Sequence, residues 1–473
     1  MTECTPRQLS FGNIGRREVL ASFDGGVLSS DGGTLLLGET EKRIGMFDRL
    51  AACFTDRRNP DLIEHSVRSM VAQRVLGLAL GYEDLNDHDV LRRDPLLAAI
   101  VGEPDILGTR RHGANAGCAL AGKSTLNRLE LSTGQPHRYK KIEVDEARLD
   151  ALLLDLFVES FGRRPKTLIL DVDSTDDPLH GQQEGRHFLR HYDNYCYLPR
   201  YVFCGEQLLC ARLCTADVHA ATGFTQELAR IVGRLRTTWP KVQIVLRGDS
   251  GFCRDELMAW CESARVDYII GLAKNVRLTG QIKPQAKRAA AKHAGTGVAA
   301  RFFKAFEYCT LDSWSATRWV VGKAEHLSGG PNPRFIVTTL LPPRLSAAQR
   351  TAQAQHLYEQ VYCARGDMEN RIKEQQQDMF ADRTSCTPIK ANQLRLYFAS
   401  FGYCLMQAMR RLALTGTELA KAQCGTIRLK LLKIAARVTV SVRRLCISLP
   451  TACPNQTHFI AAYDRLMALP LRI

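Results

Sequence analysis

Two short apolar runs that end in aspartate constrain the fold of this chain more than any other feature. The first covers Thr167–Asp173 and reads TLILDVD, and the second covers Val242–Asp249 and reads VQIVLRGD. Helical patterns at Phe224–Leu235 and Arg254–Ser263 alternate with these runs, and another apolar run follows at Tyr268–Leu272. This alternation predicts an α/β domain whose sheet carries acids at the ends of its strands.

Changes of pattern divide the rest of the chain into regions. Helical periodicity dominates the first 160 residues, whereas residues 276–345 contain glycine-rich turns and strand-like segments, and a long helix is predicted from Ser346 to Phe380. We therefore predict a mainly helical region over 1–160, an α/β core over 165–275, a strand-rich insertion over 276–345, the second part of the core over 346–410, and a basic helical region over 411–473.

Positive charge is concentrated at the C-terminal end. The whole chain has 64 Lys and Arg against 49 Asp and Glu, a net charge of +15. Between Arg383 and Ile473 there are fourteen basic side chains and two acidic ones, so this segment alone carries +12. Such a segment favours a surface that binds a polyanion, above all nucleic acid, although a solvated helix face remains the alternative.

Cysteine usage and hydropathy indicate the compartment. The sixteen cysteines include no C-x-x-C pair, a pattern typical of reduced thiols in a cytosolic protein rather than of a disulfide framework or a zinc ribbon. The longest apolar runs fall short of the roughly 20 residues that span a bilayer. We therefore expect a cytoplasmic protein without a membrane helix.

Two local motifs suggest chemistry that their context does not favour. Gly117–Ser124 matches the phosphate loop G-x4-G-K-[ST], but the polar segment before it is a poor candidate for the buried strand that this loop requires. An NTPase is therefore a minor alternative. His180, His187 and His191 lie close together, but their spacing matches no common zinc pattern, so we predict histidines of a loop or hairpin.

The acids at the strand ends form a stronger candidate site. Asp171 and Asp173 are two residues apart and project from the same face of their strand, with Asp173 nearer its end. Asp249 ends the second strand. Carboxylates from neighbouring strands can hold two hard cations, which would activate a hydroxyl and stabilise the leaving oxygen of a phosphodiester. For either strand alone, an aspartate that simply forms a turn is an equally good reading.

A third carboxylate favours the metal site. Tyr362, Arg365, Glu369, Lys373 and Gln376 follow one another at helical spacing, which predicts that they share one face of the late helix. Tyr and Arg beside Glu are the side chains that a metal-binding helix needs to hold a phosphate.

At these residues the chain resembles the DDE transposases of bacterial insertion sequences, in particular the family called transposase DDE domain group 1. The segments that carry the resemblance are Leu170–Gly185, Tyr192–Pro199, Leu246–Phe252 and Tyr362–Glu374. The resemblance implies an RNase H-like core with a strand-rich insertion before the glutamate. It also implies a catalytic, metal-binding triad of Asp173, Asp249 and Glu369. Asp173 is selected over Asp171 because the small hydroxylated pair Ser174-Thr175 follows it.

The same resemblance implies a signature Tyr-x2-Arg-x3-Glu-x6-Lys. Tyr362, Arg365 and Glu369 fit it, but Gln376 stands at the lysine position, so we expect Lys373 to supply the cation. We predict that Tyr362, Arg365, Lys373 and Arg247 contact DNA, and that two Mg²⁺ ions, or Mn²⁺ in their place, are the cofactors.

We therefore predict a transposase that binds the terminal inverted repeats of an insertion sequence, cleaves the DNA ends and joins their 3′-hydroxyls to target DNA. Its partners would be double-stranded DNA and a second copy of the chain in a synaptic complex, in the bacterial cytoplasm at the nucleoid. A metal-dependent nuclease without strand transfer and a DNA-binding repressor without catalysis are the alternatives.

Overall fold

The computed structural model describes residues 7–132, 140–190, 192–218 and 221–472. The chain forms two compact units, one from Met1–Asp145 with Phe401–Ile473 and the other from Glu146–Ser400. The structural boundaries thus lie near 145 and 400 rather than near 160 and 410. In these described ranges no helix is long and apolar enough to cross a membrane.

A mixed sheet forms the centre of the second unit, and within the described residues it has nine strands. Its main strands are β1 (Thr167–Ser174), β2 (Arg200–Cys204), β3 (Gln207–Arg212), β4 (Gln243–Gly248), β5 (Asp267–Leu272), β6 (Ala300–Tyr308), β7 (Arg318–Leu327) and β8 (Arg334–Thr338). Their order is β3-β2-β1-β4-β5-β8-β7-β6, and Gly330–Pro331 pairs with β7. Strands β1, β4 and β5 are parallel, whereas β2 is antiparallel to both β1 and β3.

The alternation of side chains along β1 explains how this sheet is covered. Leu168, Leu170 and Val172 are buried on one face in a cluster that includes Phe157 and Leu228. The helices that contribute to that cluster include α1 (Glu146–Glu159), α2 (Phe224–Thr238) and α3 (Asp255–Ser263).

The intervening residues of β1 belong to the opposite face. Ile169 packs there against a second cluster that contains Val245, Leu357 and Tyr358. Because side chains alternate along a strand, Asp171 and Asp173 lie on the face of Ile169. This is also the face toward the late helical segment.

The region 276–345 differs from the expected separate insertion. It begins with two helices, Val276–Gln281 and Lys283–Thr296. Its strands β6, β7 and β8 then extend the central sheet, because β8 pairs with both β5 and β7. Phe335, Ile336 and Val337 of β8 are buried, so burial of apolar strand residues on both faces favours one continuous sheet over an isolated subdomain.

The late helix is interrupted where the sequence predicted it to be continuous. It comprises the α-helix Ala347–His356, a π-helical segment Leu357–Tyr362, a 3₁₀ turn Cys363–Arg365, the helix α4 (Gly366–Lys373) and a second π-helical segment Glu374–Asp378. A change of helical pitch rotates the residues that follow it, and of the predicted stripe of five side chains Gln376 lies in the second π-helical segment.

The first unit is mainly helical within the described residues. Its described α-helices are Thr34–Ile44, Met46–Ala51, Val67–Leu80, His88–Leu91, Pro95–Val101, Lys123–Glu130, Cys424–Ile427 and Gln456–Met467, together with the part of the helix Ile389–Ala413 that follows residue 400. Leu9–Ile14 pairs with Arg17–Ala21, and Phe54–Asp56 pairs with Ile142–Val144.

The C-terminal region is not wholly helical, which corrects the prediction for 411–473. Ala436–Val440 forms a hairpin with Leu445–Ser448 and also pairs with Leu28–Ser29. Nearby, a Cβ at Gly33 would lie only 1.9 Å from the Leu431 carbonyl oxygen. The two ends of the chain thus fold together, and their backbones approach so closely that Gly33 has no room for a side chain.

Candidate active site

Adjacent parallel strands bring Asp173 and Asp249 to one edge of the sheet. The last register pair between β1 and β4 is Val172 with Gly248, so Asp173 and Asp249 are the next residues along the two strands. Burial raises the pKa of Asp173, the Arg365 guanidinium lowers it, and the Asp249 carboxylate raises it again, with a net upward shift. The two carboxylates therefore lie close enough to repel each other.

Asp171 has a different environment from Asp173. It is 4% exposed and forms an ion pair with Arg247, whose Nη2 lies 2.7 Å from Asp171 Oδ2. Arg247 Nη1 also donates to the Val361 carbonyl oxygen at 2.5 Å. Burial raises the pKa of Asp171 and the hydrogen bond from Arg247 opposes that rise. The structure thus gives Asp171 a buried countercharge.

The same contacts involve Arg247, for which the sequence predicted a DNA contact. Its side chain is 8% exposed and its guanidinium is engaged by Asp171 and by the backbone of the late helix. Three of the five N–H donors of this guanidinium are thus directed at protein oxygens. Arg247 instead ties β4 to β1 and to the segment that carries Tyr362.

Arg365 connects the first and third acids. Its Nη1 lies 2.7 Å from Asp173 Oδ2, and its Nη2 lies 3.3 Å from Glu369 Oε1. Arg365 and Asp173 are each largely buried, at 17% and 16% exposure of their side chains, whereas Glu369 on α4 is 57% exposed. The late helix thus lays its Arg and Glu over the edge of the sheet where Asp173 and Asp249 lie.

Tyr362 is positioned by a glycine of β5. A Cβ at Gly271 would lie 2.6 Å from the Tyr362 hydroxyl oxygen and 2.9 Å from the Ser250 backbone nitrogen. Burial raises the pKa of Tyr362, Arg365 lowers it, and Asp249 raises it. Tyr362 therefore lies within electrostatic reach of Arg365 and Asp249.

Lys373 and Gln376 have surroundings that differ from those of Arg365 and Tyr362. Lys373 is exposed, and its ammonium has no ion-pair partner among residues 7–132, 140–190, 192–218 and 221–472. Gln376 Nε2 donates to the Asp176 backbone oxygen at 3.0 Å. The π-helical segment that begins at Glu374 separates these two residues and gives them different surroundings.

Sequence reasoning assigned no role to Tyr192, which lies beside the acids. Burial raises the pKa of Tyr192, and Asp176, Asp173 and Asp249 raise it further. The sequence feature that could have pointed to Tyr192 is its position at the start of Tyr192–Pro199, which is one of the four segments that carry the family resemblance.

The carboxylates fit a divalent metal by their chemistry, although an arginine bridges two of them. In the part of the chain that is described, no three His, Cys, Asp or Glu side chains converge as a metal site. Asp173 and Asp249 nevertheless offer hard oxygen donors that repel each other, and such a pair is stabilised by a cation. His180 and His187 are exposed, and His191 lies outside the described residues.

Much of the basic C-terminal segment has structural partners. Arg410 and Arg428 are buried, and Arg428 Nε donates to the Ala79 carbonyl oxygen at 2.9 Å. Lys433 forms an ion pair with Asp31 at 2.7 Å. The exposed cations include Arg443 and Arg444 in the turn between the strands of the C-terminal hairpin. The predicted charge of +12 thus overstates the cations available to a polyanion.

Comparison with known proteins identifies the class as a transposase. Residues 11–471 match the family described as Transposase DDE domain group 1, and the chain belongs to this family. The family generally uses divalent metal ions. No curated protein matches the chain.

Among solved structures, the chain is similar to a piggyBac transposase in a cryo-EM synaptic complex with hairpin DNA. The TM-score is 0.40 with 8% sequence identity, covering 85% of this chain and 80% of that one.

Proposed function

We propose that this protein is a DNA transposase that cleaves the ends of a mobile element and joins their 3′-hydroxyls to target DNA. The observation that carries the proposal is the convergence of Asp173, Asp249 and the Arg365–Glu369 pair at one edge of the sheet. The family to which the chain belongs supports the same activity. The sheet order β3-β2-β1-β4-β5, with β1, β4 and β5 parallel, supports an RNase H-like core.

Asp173, Asp249 and Glu369 would hold two Mg²⁺ ions, or Mn²⁺ in their place. When bound, the ions supply an activated hydroxyl and stabilise the leaving oxygen of the phosphodiester. Asp173 and Asp249 provide closely spaced oxygens, and Glu369 reaches the same edge from α4. Since Arg365 holds both Asp173 and Glu369, we expect Arg365 to move away from Asp173 when all three carboxylates become ligands.

Arg365 and Tyr362 are then placed to act on the DNA backbone. A guanidinium that leaves a carboxylate can pair with a phosphate by the same two-pronged geometry. Tyr362 offers a hydroxyl beside Asp249, and the exposed Lys373 offers a further cation on the same helix. We do not include Arg247 among the DNA contacts, because Asp171 and Val361 already occupy its guanidinium.

The joining of two DNA ends implies two copies of the chain in one complex, so a homodimer on DNA is part of the proposal. The exposed cations of the first unit would bind the inverted repeats with an affinity that falls steeply with salt. We expect this to take place on the nucleoid in the bacterial cytoplasm.

The experiment uses the DNA that flanks the gene, because terminal inverted repeats would lie there. The purified chain is incubated with a labelled flanking fragment, a target plasmid and Mg²⁺. We expect cleavage at the repeats and joined products, and we expect both to be lost in Asp173→Asn, Asp249→Asn and Glu369→Gln while fragment binding is retained. Asp367→Asn is the matched control, because it removes an exposed carboxylate from the same helix.

The two alternatives give different results in this assay. A nuclease without strand transfer would cleave the fragment but would not join pre-cut ends to the plasmid. A repressor would bind the fragment and cleave nothing, and Glu369→Gln would leave its biological activity intact. Either outcome would contradict the proposal.

A further inference from the structure

The segment Tyr268–Phe306 of the second unit carries positive charge that the proposed catalytic site does not use. It contains eight Lys and Arg and no Asp or Glu. The segment thus carries +8, although the net charge of the whole chain is only +15. Most of it is formed by the helices Val276–Gln281 and Lys283–Thr296.

Two of these eight cations have partners in the fold. Arg301 Nη1 lies 2.9 Å from Glu359 Oε1, and Lys304 Nζ donates to the Gln281 carbonyl oxygen at 2.7 Å. The other six side chains are exposed, and no carboxylate of the described residues lies within ion-pair distance of any of them. We call these six the basic surface: Lys274, Arg277, Lys283, Lys287, Arg288 and Lys292.

Like charges face each other along the second helix of this surface. Lys283 and Lys287 are four residues apart, as are Arg288 and Lys292, so each pair lies on neighbouring turns and repels. Ala289 on the same helix is fully buried, so the helix packs through its apolar side and keeps its cations in water. The free protein therefore carries a repulsion that a bound polyanion would relieve.

Aromatic rings hold the two arginines of the basic surface in place. The Cζ of Arg288 lies 4.3 Å from the centroid of the Phe302 ring, and that of Arg277 lies 5.2 Å from the centroid of the Tyr308 ring. A ring orients a guanidinium plane without neutralising its charge. Both guanidinium groups are thus positioned in advance for an anion such as phosphate.

The basic surface begins beside the candidate active site. Strand β5 runs parallel to β4, so the two strands end at the same edge of the sheet. A Cβ at Gly271, near the end of β5, would lie only 3.2 Å from the Asp249 carbonyl carbon. Lys274 follows two residues after β5 ends at Leu272.

We propose that the basic surface binds backbone phosphates of duplex DNA next to the cleavage site. The choice of DNA as the polyanion rests on the proposed function, and the charges complement it. A duplex carries one negative charge for about every 1.7 Å of its length. The helix Lys283–Thr296 has 14 residues and is therefore about 20 Å long, so its cations can follow several successive phosphates.

A duplex fits this surface better than a single strand does. Proteins that bind single strands commonly stack the bases on exposed aromatic rings. Here Arg288 covers the Phe302 ring, and Tyr308 is buried beneath Arg277. Contacts to phosphates alone position DNA without reading its sequence, so the surface would add affinity for any duplex.

The test measures binding of the full chain to the flanking duplex over a range of salt concentrations. The triple variant Lys287→Gln, Arg288→Gln and Lys292→Gln removes three cations from one helix. We expect it to weaken binding by about two orders of magnitude at about 0.1 M salt. The slope of log affinity against log salt should become shallower by about 2.7, at about 0.9 for each lost phosphate contact. An unrelated duplex should respond equally.

Cleavage and stability show that the triple variant is intact. Glutamine is a good helix former and ends the repulsion between positions 288 and 292, so the melting temperature without DNA should not fall. The DNA concentration for half-maximal cleavage should rise while the maximal rate stays unchanged, because Asp173, Asp249 and Glu369 remain. A lower maximal rate with unchanged binding would overturn the proposal.

The matched control removes three exposed cations from the opposite edge of the sheet. Arg163, Arg164 and Lys166 are exposed and directly precede β1, whereas Asp173 lies near its other end. Their triple substitution by glutamine should change the salt slope by less than about one. Equal effects of the two triple variants would overturn the proposal, since they would reduce it to net charge.

An RNA hairpin replaces the duplex in a second arm. If the first triple variant lost affinity for the RNA but kept its affinity for the duplex, the surface would belong to RNA and the DNA proposal would be overturned. A wild-type chain that binds the duplex but does not cleave it in Mg²⁺ or Mn²⁺ would overturn only the proposed function. Failure of the wild-type chain to bind any duplex would overturn both proposals.

Discussion

Asp171 and Asp173 lie on one strand, but the same substitution to asparagine should change a different property of the protein at each position. Asp171→Asn removes the carboxylate that compensates the buried Arg247, whereas Asp173→Asn alters a pair at the edge of the sheet. We expect the first change to act on stability and the second to act on metal binding.

The contacts set the size of each effect. Breaking a buried ion pair by removing one partner typically destabilises a protein by about 3–5 kcal/mol, because the remaining charge stays buried. That is a large share of the roughly 5–15 kcal/mol that holds a domain together. Asp173→Asn loses a hydrogen bond to Arg365 but also ends the repulsion by Asp249. We expect that change to stay within about 1 kcal/mol.

Urea unfolding of each variant measures these free energies, and Mn²⁺ binding measures the second effect. A double variant, Asp171→Leu with Arg247→Met, supplies the control, because replacing both charges by apolar groups should recover most of the lost stability. Equal destabilisation by Asp171→Asn and Asp173→Asn, or loss of Mn²⁺ binding in Asp171→Asn at full stability, would refute this reasoning.

Three further predictions concern residues around and beyond the site. Burial raises the pKa of Asp177 to about 9, so Asp177 keeps its proton in the folded state at neutral pH. Because the unfolded chain loses that proton, the free energy of unfolding falls by about 1.4 kcal/mol for each unit that the pH rises between the unfolded and folded pKa values. Asp177→Asn removes that slope, so urea unfolding should show a stability gain over wild type that grows from pH 5 to pH 8; a constant difference would contradict this. Gly271→Ala should displace Tyr362 and reduce cleavage with less effect on DNA binding, and wild-type cleavage rates would contradict it. Gly33→Ala should destabilise the first unit by more than about 2 kcal/mol, because its Cβ would overlap the Leu431 carbonyl; an unchanged melting temperature would be evidence against that overlap.

The sequence was sufficient to predict the strands that carry Asp173 and Asp249, because apolar runs that end in acids leave little ambiguity. It could not predict that Arg247 is buried, since only the tertiary structure brings its guanidinium to Asp171 and Val361. An arginine after an apolar run is equally compatible with a DNA contact.

The late helix shows a different limit. Spacing along the sequence assumes one helical pitch, whereas two π-helical segments change the pitch at Leu357 and Glu374. Arg365 and Glu369 lie between these segments and remain neighbours as predicted. Gln376 lies within the second segment and donates to the Asp176 backbone oxygen instead. Segments of this kind are frequent at functional sites.

Long-range pairing accounts for the remaining differences. The local sequence of Arg334–Thr338 does not indicate that this strand pairs with β5 rather than belonging to a separate subdomain. Likewise, the hairpin at Ala436–Val440 is built on Leu28–Ser29 from the other end of the chain. Contacts at such separations depend on the whole fold, whereas the interleaving of basic and apolar residues from Ile427 to Val438 suggested a helix.

The central claim is that Asp173, Asp249 and Glu369 hold the metal ions that cleave DNA, and a change of metal preference tests it most directly. Cysteine at a ligand position binds Mg²⁺ poorly but tolerates softer ions. Cleavage of the flanking DNA is therefore measured for Asp173→Cys in Mg²⁺ and in Mn²⁺, with Asp367→Cys as the control. We predict that Asp173→Cys is inactive in Mg²⁺ and recovers activity in Mn²⁺, while the control behaves as wild type in both. Asp173→Cys with the wild-type ratio of activities in the two metals would contradict the account.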